Sequence, residues 1–288
     1  TIQNSPYKHK TQSVIYNEKG LDNIKEYIEK YSFEIDFKLN ESWVIQNSIG
    51  QTIIKKMNAK GTPLSEWNIN TNRGVTTGCN EAFIIDEEKR RELILNDPKS
   101  EEIIKPILRG RDFNSIGYQW GGLYLLALYP AMHYNIDDYP AIKQHLLDFG
   151  YDKLKQTGEP GSRKKTLNKW FELSDSTAFW EDFYKSKIIY RKLSQHMDAI
   201  IDDKKYIVND ACYIVTGDYL HFLCSFFNSK IFKLIVQSVN MIGGTKGRDF
   251  IKNIKAVKPE GEDRAFSDEE FYKLYNLTDE EIEYVSSL

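Results

Sequence analysis

An α+β fold, with a β-rich core, flanking helices and a small helical tail at the C-terminus, is the class this sequence predicts. Helical and alternating apolar periodicities succeed each other along the chain without a regular strand–helix–strand repeat, which argues against a doubly wound parallel sheet. The most apolar segment, "WGGLYLLALYPA", has the length of a core strand or pair of strands and is too short to span a membrane. The last segment, "FSDEEFYKLYNLTDEEIEYVSSL", carries two capping patterns, Ser267 with Glu270 and Thr278 with Glu281, so two short helices are expected to close the chain.

Taken in order, Leu21, Ile24, Tyr27 and Ile28 recur at helical spacing; Phe33, Ile35, Phe37 and Leu39 then alternate with polar residues, predicting a helix and a half-buried strand. "ESWVIQN" continues the strand signal, "GQTIIKKMNAKG" reads as a short helix, and "NEAFIID" as a strand entered from a glycine turn. Charges surround Leu93 and Ile94 from Asp86 to Leu95, predicting a surface helix that stops before Asp97-Pro98. Pro140 suits the first turn of a helix whose apolar stripe is Ile142, Leu146, Leu147 and Phe149, with Gly150 as its stop. "KSKIIYRKLS" and "KYIVNDACYIVTG" read as strands, and "DYLHFLCSFFNSKIFKLIVQSV" as one long helix starting near an Asp218 cap. Phe83, Ile84, Ile107, Leu108 and Phe113 are expected in the core.

Composition narrows the functions. The 288 residues are 41% hydrophobic and 28% charged, which is ordinary globular composition for one large or two small domains. A formal net charge of -3 gives no whole-molecule positive field, so any polyanion site must be local. Cys79, Cys212 and Cys224 fit neither a disulfide framework nor zinc spacing, and a reducing, cytoplasmic setting is expected. "TIQNSPYKHK" has no signal-peptide core, and without an initiator Met the chain is expected to be a soluble piece of something longer. The five histidines show no metal-ligand spacing. No glycine-rich dinucleotide or methyl-donor fingerprint follows a strand, and "GGTKGRDF" is not a phosphate-binding P-loop. "NSPY" lacks the first proline of the Asn-Pro-Pro-Tyr loop with which amino-methyltransferases hold a base. "DEEK", Asp86 to Lys89, contains the Glu-x-Lys of many nucleases, but in so charged a chain it reads better as a solvated helix face.

Recognition chemistry is what remains. Gly74, Gly78, Gly110, Gly243, Gly244 and Gly247 permit close backbone approach to a phosphate, and Arg73, Lys105, Arg109, Arg111, Lys246 and Arg248 sit beside them. Between Lys153 and Lys169 six basic residues face a single acid, Glu159, making an exposed basic loop. Asn80 and Asp112 are expected first to satisfy backbone groups in their own turns. Basic loops on a β-rich frame without a catalytic set favour a nucleic-acid reader.

Six ordered blocks, "GVTTGCNEAFIID" with "DPKSEEIIKPILRGRDF", "YPAIKQHLLDF", "KIIYRKLS", "YLHFLCSFFNSKIFK", "IKNIKAVKP" and "LYNLTDEEIEYV", resemble the target-recognition region of TaqI-like, type IIG restriction-modification DNA methyltransferases, over roughly Gly74 to Val285. The resemblance implies a connector over 1–50 toward an N-terminal adenine-N6 methyltransferase domain, a target-recognition domain over 51–258 and a helical tail over 259–288. It implies double-stranded DNA as partner, no catalytic centre and no cofactor in this chain, with S-adenosylmethionine, and magnesium where a nuclease is fused, in the parent enzyme. On that reading Arg73, Thr77, Lys105, Lys246 and Arg248 contact the phosphate backbone, and Asn80, Arg109, Arg111, Arg163, Lys164 and Lys165 are the candidates for base edges. Two other functions stay open: a protein-docking module using the acidic tail Glu260 to Glu283 and the "WGGLYLLALYP" run, and a minimal magnesium-dependent nuclease using Asp86, Glu87 and Lys89.

Overall fold

The computed structural model describes residues 11–14, 23–35, 47–175, 178–194, 196–241 and 247–288. "NSPY", Leu21, Phe37, Leu39, most of "ESWVIQN", Gly243, Gly244 and Lys246 lie outside them. Strands β1 (Thr11–Ser13) and β2 (Phe33–Ile35) pair antiparallel around helix α1 (Ile24–Tyr31). Helix α2 (Ser48–Lys60) is capped by Asn47, whose side chain accepts from the Gly50 amide at 2.9 Å. Then come β3 (Thr62–Pro63), β4 (Ile69–Arg73), α3 (Asn80–Phe83), β5 (Ile84–Ile85), α4 (Glu87–Asn96), β6 (Ile104–Leu108), β7 (Phe113–Asn114), β8 (Gly117–Tyr118), β9 (Tyr124–Leu126) and α5 (Pro140–Leu154). The second half holds β10 (Lys187–Arg191), β11 (Ile200–Asp202), β12 (Ile207–Val208), β13 (Cys212–Gly217), α6 (Leu220–Asn228), α7 (Lys230–Met241), α8 (Arg248–Asn253), β14 (Lys255–Ala256), α9 (Asp268–Leu274) and α10 (Asp279–Ser287).

Two four-stranded sheets make the frame, in the orders β11-β10-β13-β4 and β12-β6-β9-β5. All pairings in them are antiparallel except β12 with β6. Why the middles of β10 and β13 are apolar follows from where the first sheet lies. Ile189, Cys212 and Ile214 pack into a core shared with the second sheet, α4 and α5. Ile188, Tyr190 and Val215 point the other way, into a core under α2, α6, α7 and α9. A sheet buried on both faces has no solvated side, so the charge it does bury, Lys187 at the start of β10, is paired with Asp202 on β11 at 2.6 Å. The α+β class is as expected, and both closing helices carry the expected capping boxes. Among the described residues no helix is long and apolar enough to cross a membrane.

Four expectations need correction. "NEAFIID" is a single helical turn, α3, before the two-residue β5, because residues 80–83 close onto the Cys79 carbonyl. Gly150 does not stop its helix; at φ 126° it kinks α5, which resumes to Leu154. The long helix is two, broken at Ser229, whose extended backbone lets its hydroxyl accept from the Phe232 amide at 3.1 Å and cap α7. Asp218 is not the cap of α6: its carboxylate accepts from Asn68 at 3.1 Å, while Asp263 accepts from the His221 and Phe222 amides at 3.0 and 2.9 Å.

Candidate nucleic-acid interface

Strand register brings distant basic turns to one end of the two sheets. Arg73, last residue of β4, lies opposite Tyr213, and Arg191, last of β10, lies opposite Cys212, first of β13. β12 runs parallel to β6 with Val208 beside Leu108, so the turns leaving both strands emerge together. The chain after β4 is clamped against the β12–β13 turn: the Gly74 amide donates to Cys212 O at 2.9 Å and the Val75 amide to Val208 O at 2.8 Å. A Cβ on Gly74 would stand 2.0 Å from the Asn209 carbonyl oxygen, so only glycine permits this approach.

These turns enclose an open groove of ≈ 500 Å³. Arg109, Gly110 and Arg111 come from the turn after β6, Arg191, Lys192 and Leu193 from the end of β10, Asn209 and Ala211 from the β12–β13 turn, and Asn80 from α3. No carboxylate is among the lining residues. Two of its cations are fixed from beneath. Arg109 donates to both Asp112 oxygens, Nε to Oδ2 at 3.0 Å and a terminal nitrogen to Oδ1 at 2.9 Å. Arg191 donates to the Phe113 carbonyl, lies 3.5 Å from Asp198 Oδ2 and covers the Phe113 ring at 5.5 Å. Arg111 and Lys192 make no ion pair or side-chain hydrogen bond among the described residues. The groove therefore presents two oriented and two uncommitted positive charges in a protein of formal net charge -3.

Residues 105–254, just over half of the chain, match the TaqI-like C-terminal specificity domain. The chain belongs to that family. Among solved structures it is similar to the type IIG restriction endonuclease BpuSI, at 17% identity and TM-score 0.43 over 84% of this chain and 28% of that one. It is also similar to the type IIL restriction-modification enzyme MmeI in complex with DNA, at 15% identity and TM-score 0.37 over 58% of this chain and 21% of the other. The chain thus spans less than a third of either enzyme. No curated protein matches it.

The expected site residues separate into four groups. Asn80, Arg109 and Arg111 meet in the groove. The backbone role expected of both Asn80 and Asp112 falls to Asp112, whose Oδ2 accepts from the Arg109 amide at 2.8 Å, while Asn80 Oδ1 accepts from the Thr77 hydroxyl at 2.7 Å. Arg73 and Arg248 meet beside a second concavity of ≈ 420 Å³ along the same strand ends. Arg73 donates to Asp175 at 2.7 Å, a bond that raises its already high pKa; Arg248 donates to Thr71 O at 2.9 Å and Asn72 Oδ1 at 3.1 Å, tying α8 to the edge strand β4. Lys105, half-buried on β6, and the exposed Lys164 and Lys165 stand apart from both hollows.

Thr77 and Arg163 form the fourth group, and there the expectation is corrected. Thr77 is buried, its hydroxyl donating to Asn80 and accepting from the Cys79 amide at 3.1 Å, so it holds the turn and is turned away from solvent. Arg163 is only 4% exposed. Its guanidinium donates to the carbonyls of Leu154, Thr77, Glu172 and Trp170 at 2.9, 2.8, 2.8 and 2.5 Å and lies over the Phe83 ring. Burial pulls its pKa down to about 10, and every direction in which it could grip a base is already filled by the fold.

Sequence reasoning missed Arg191, Lys192, Leu193 and Asn209. "KIIYRKLS" does carry the signal, a basic pair just past an apolar strand, but no glycine marks it as a turn. The nuclease triplet does not converge: Asp86 caps α4 through the Lys89 amide, Lys89 pairs with Glu92 and Glu87 with Arg90 and Arg91. Among the described residues no group of His, Cys, Asp and Glu is placed to hold a metal ion. Leu125 to Tyr129 are buried, so that part of "WGGLYLLALYP" offers no docking face.

Proposed function

We propose that the chain is the double-stranded-DNA recognition module of a restriction-modification enzyme, and that the groove lined by Asn80, Arg109, Arg111, Arg191 and Lys192 reads the base sequence. The observation that carries this is the convergence of four cations from two separate segments into one hollow lined by no acid, on a chain that is acidic overall. A uniformly charged nonspecific binder would spread its cations; here they are concentrated where strand ends can enter a major groove. Arg111, uncommitted, can present its fork to guanine O6 and N7, while Arg109 is held at a fixed angle by Asp112. Asn80, with its carbonyl engaged by Thr77, keeps its amide NH₂ for donation. Arg73, Lys105, Lys246 and Arg248 are assigned to phosphates, where they add salt-dependent affinity, and Lys164 and Lys165 extend the basic surface.

The adenine-N6 methyltransferase domain with its S-adenosylmethionine, and any fused nuclease with its magnesium, belong on this reading to the remainder of the parent enzyme, and this chain carries no catalysis. Fluorescence anisotropy against a randomised duplex pool, at low and near-physiological salt, tests the proposal. Steeply salt-dependent binding with an enriched motif is expected; absence of binding even at low salt would overturn it.

A further inference from the structure

One residue of the groove is chemically unlike its neighbours. Leu193 is 70% exposed, at the lip of a hollow otherwise lined by cations, amides and small residues. Its loop is pinned at the base: the Lys192 amide donates to Ala211 O at 2.9 Å, and Arg191 is held by the Phe113 carbonyl and Asp198. The leucine therefore projects from a fixed support beside Arg111 and Lys192, and the positive charge around it selects a polyanionic occupant. A duplex offers an aliphatic side chain one apolar feature on the edge of its major groove, the C5-methyl group of thymine. Phosphates and the minor-groove edges offer none. We infer that Leu193 is a specificity-determining residue that packs against a thymine methyl group in the target site. This rests on the DNA-recognition reading above, and it adds a base identity that hydrogen-bonding residues alone do not supply.

The test uses the whole chain and the duplex it enriches, with each thymine replaced in turn by uracil, which removes only the methyl group. At one position the substitution is expected to weaken binding by the wild-type chain about fourfold, the value of one buried methyl-sized group. Leu193→Ala should bind the thymine and uracil duplexes equally, Leu193→Met should restore the preference, and the salt dependence should be the same for all three. Uracil tolerated at every position, a motif without thymine, or a thymine preference that survives Leu193→Ala would each overturn the inference. So would a uniform loss of affinity in Leu193→Ala on both duplexes with the thymine preference retained, which would mark a wedge between base steps. If the wild-type chain shows no salt-dependent binding and no motif, the DNA-recognition reading itself fails, an outcome distinct from all of these.

Discussion

Arg111 and Arg163 both sit near glycines in basic runs, and only their surroundings separate them. Arg111 is exposed with no partner among the described residues, whereas Arg163 satisfies four carbonyls from three segments of chain. Replacing Arg163 by Met strands those acceptors in the core, and urea denaturation is expected to show a loss of at least about 3 kcal/mol. Arg163→Lys should recover little, because one ammonium cannot reach acceptors arranged around a planar fork. Arg111→Ala should leave stability within about 0.5 kcal/mol while costing about 1–3 kcal/mol of discrimination at one base pair, read by competition among single-position duplex variants. Nothing in "GSRKK" or "LRGRDF" distinguishes these fates, since the carbonyls that hold Arg163 all lie outside its stretch and one of them, Thr77, is far away in sequence. Asp112 was legible at this scale, because the Arg109 amide it accepts from is three residues away.

At the scale of elements, what could be read was what is local. The closing helices announce themselves because both halves of each capping box lie within four residues, and Ser267→Ala should cost about 1 kcal/mol in a thermal melt. The cap of α6 could not be read, because Asp263 comes from about forty residues downstream. Gly74 shows the same limit: the glycine is visible in the sequence, while the carbonyl that requires it is at Asn209. Gly74→Ala should force β4 and the β12–β13 turn apart, seen as faster amide exchange at Val75 and lower stability together. The attachment of α10 to α2 has a pH signature. Burial pushes the Glu281 carboxyl up, but the bonds it accepts from Lys56 at 2.6 Å and from the Thr278 amide at 2.7 Å outweigh this and hold it below the ordinary range. A depressed folded pKa contributes stability that is fully present above the unfolded value, about 4.3, and is lost as pH falls through the folded value. Wild type should therefore exceed Glu281→Gln by about 1 kcal/mol near pH 7, with the two curves converging below pH ~4.

Across the whole molecule, the sheet β11-β10-β13-β4 serves as a wall between two cores, and the basic turns gather at one end of it. That geometry predicts a salt dependence carried by few residues. With Arg73 and Lys105 assigned to phosphates, their double substitution to Ala should reduce the slope of log K against log salt by about two units, measured by anisotropy titrations. The sequence by itself determined the α+β class, most helices, the capped tail, the location of Phe83, Ile107, Leu108 and Phe113 in the core, and the resemblance to the specificity-domain family that the chain proves to belong to. These are carried by periodicity, by capping within a turn and by ordered blocks, all of which involve residues close along the chain. Tertiary structure alone decided which cations meet. The groove joins Asn80, Arg109, Arg191 and Asn209 through antiparallel and parallel register across strands far apart in sequence, and burial withdrew Thr77 and Arg163 from solvent, because pairing and desolvation depend on the distant segments that come to lie alongside.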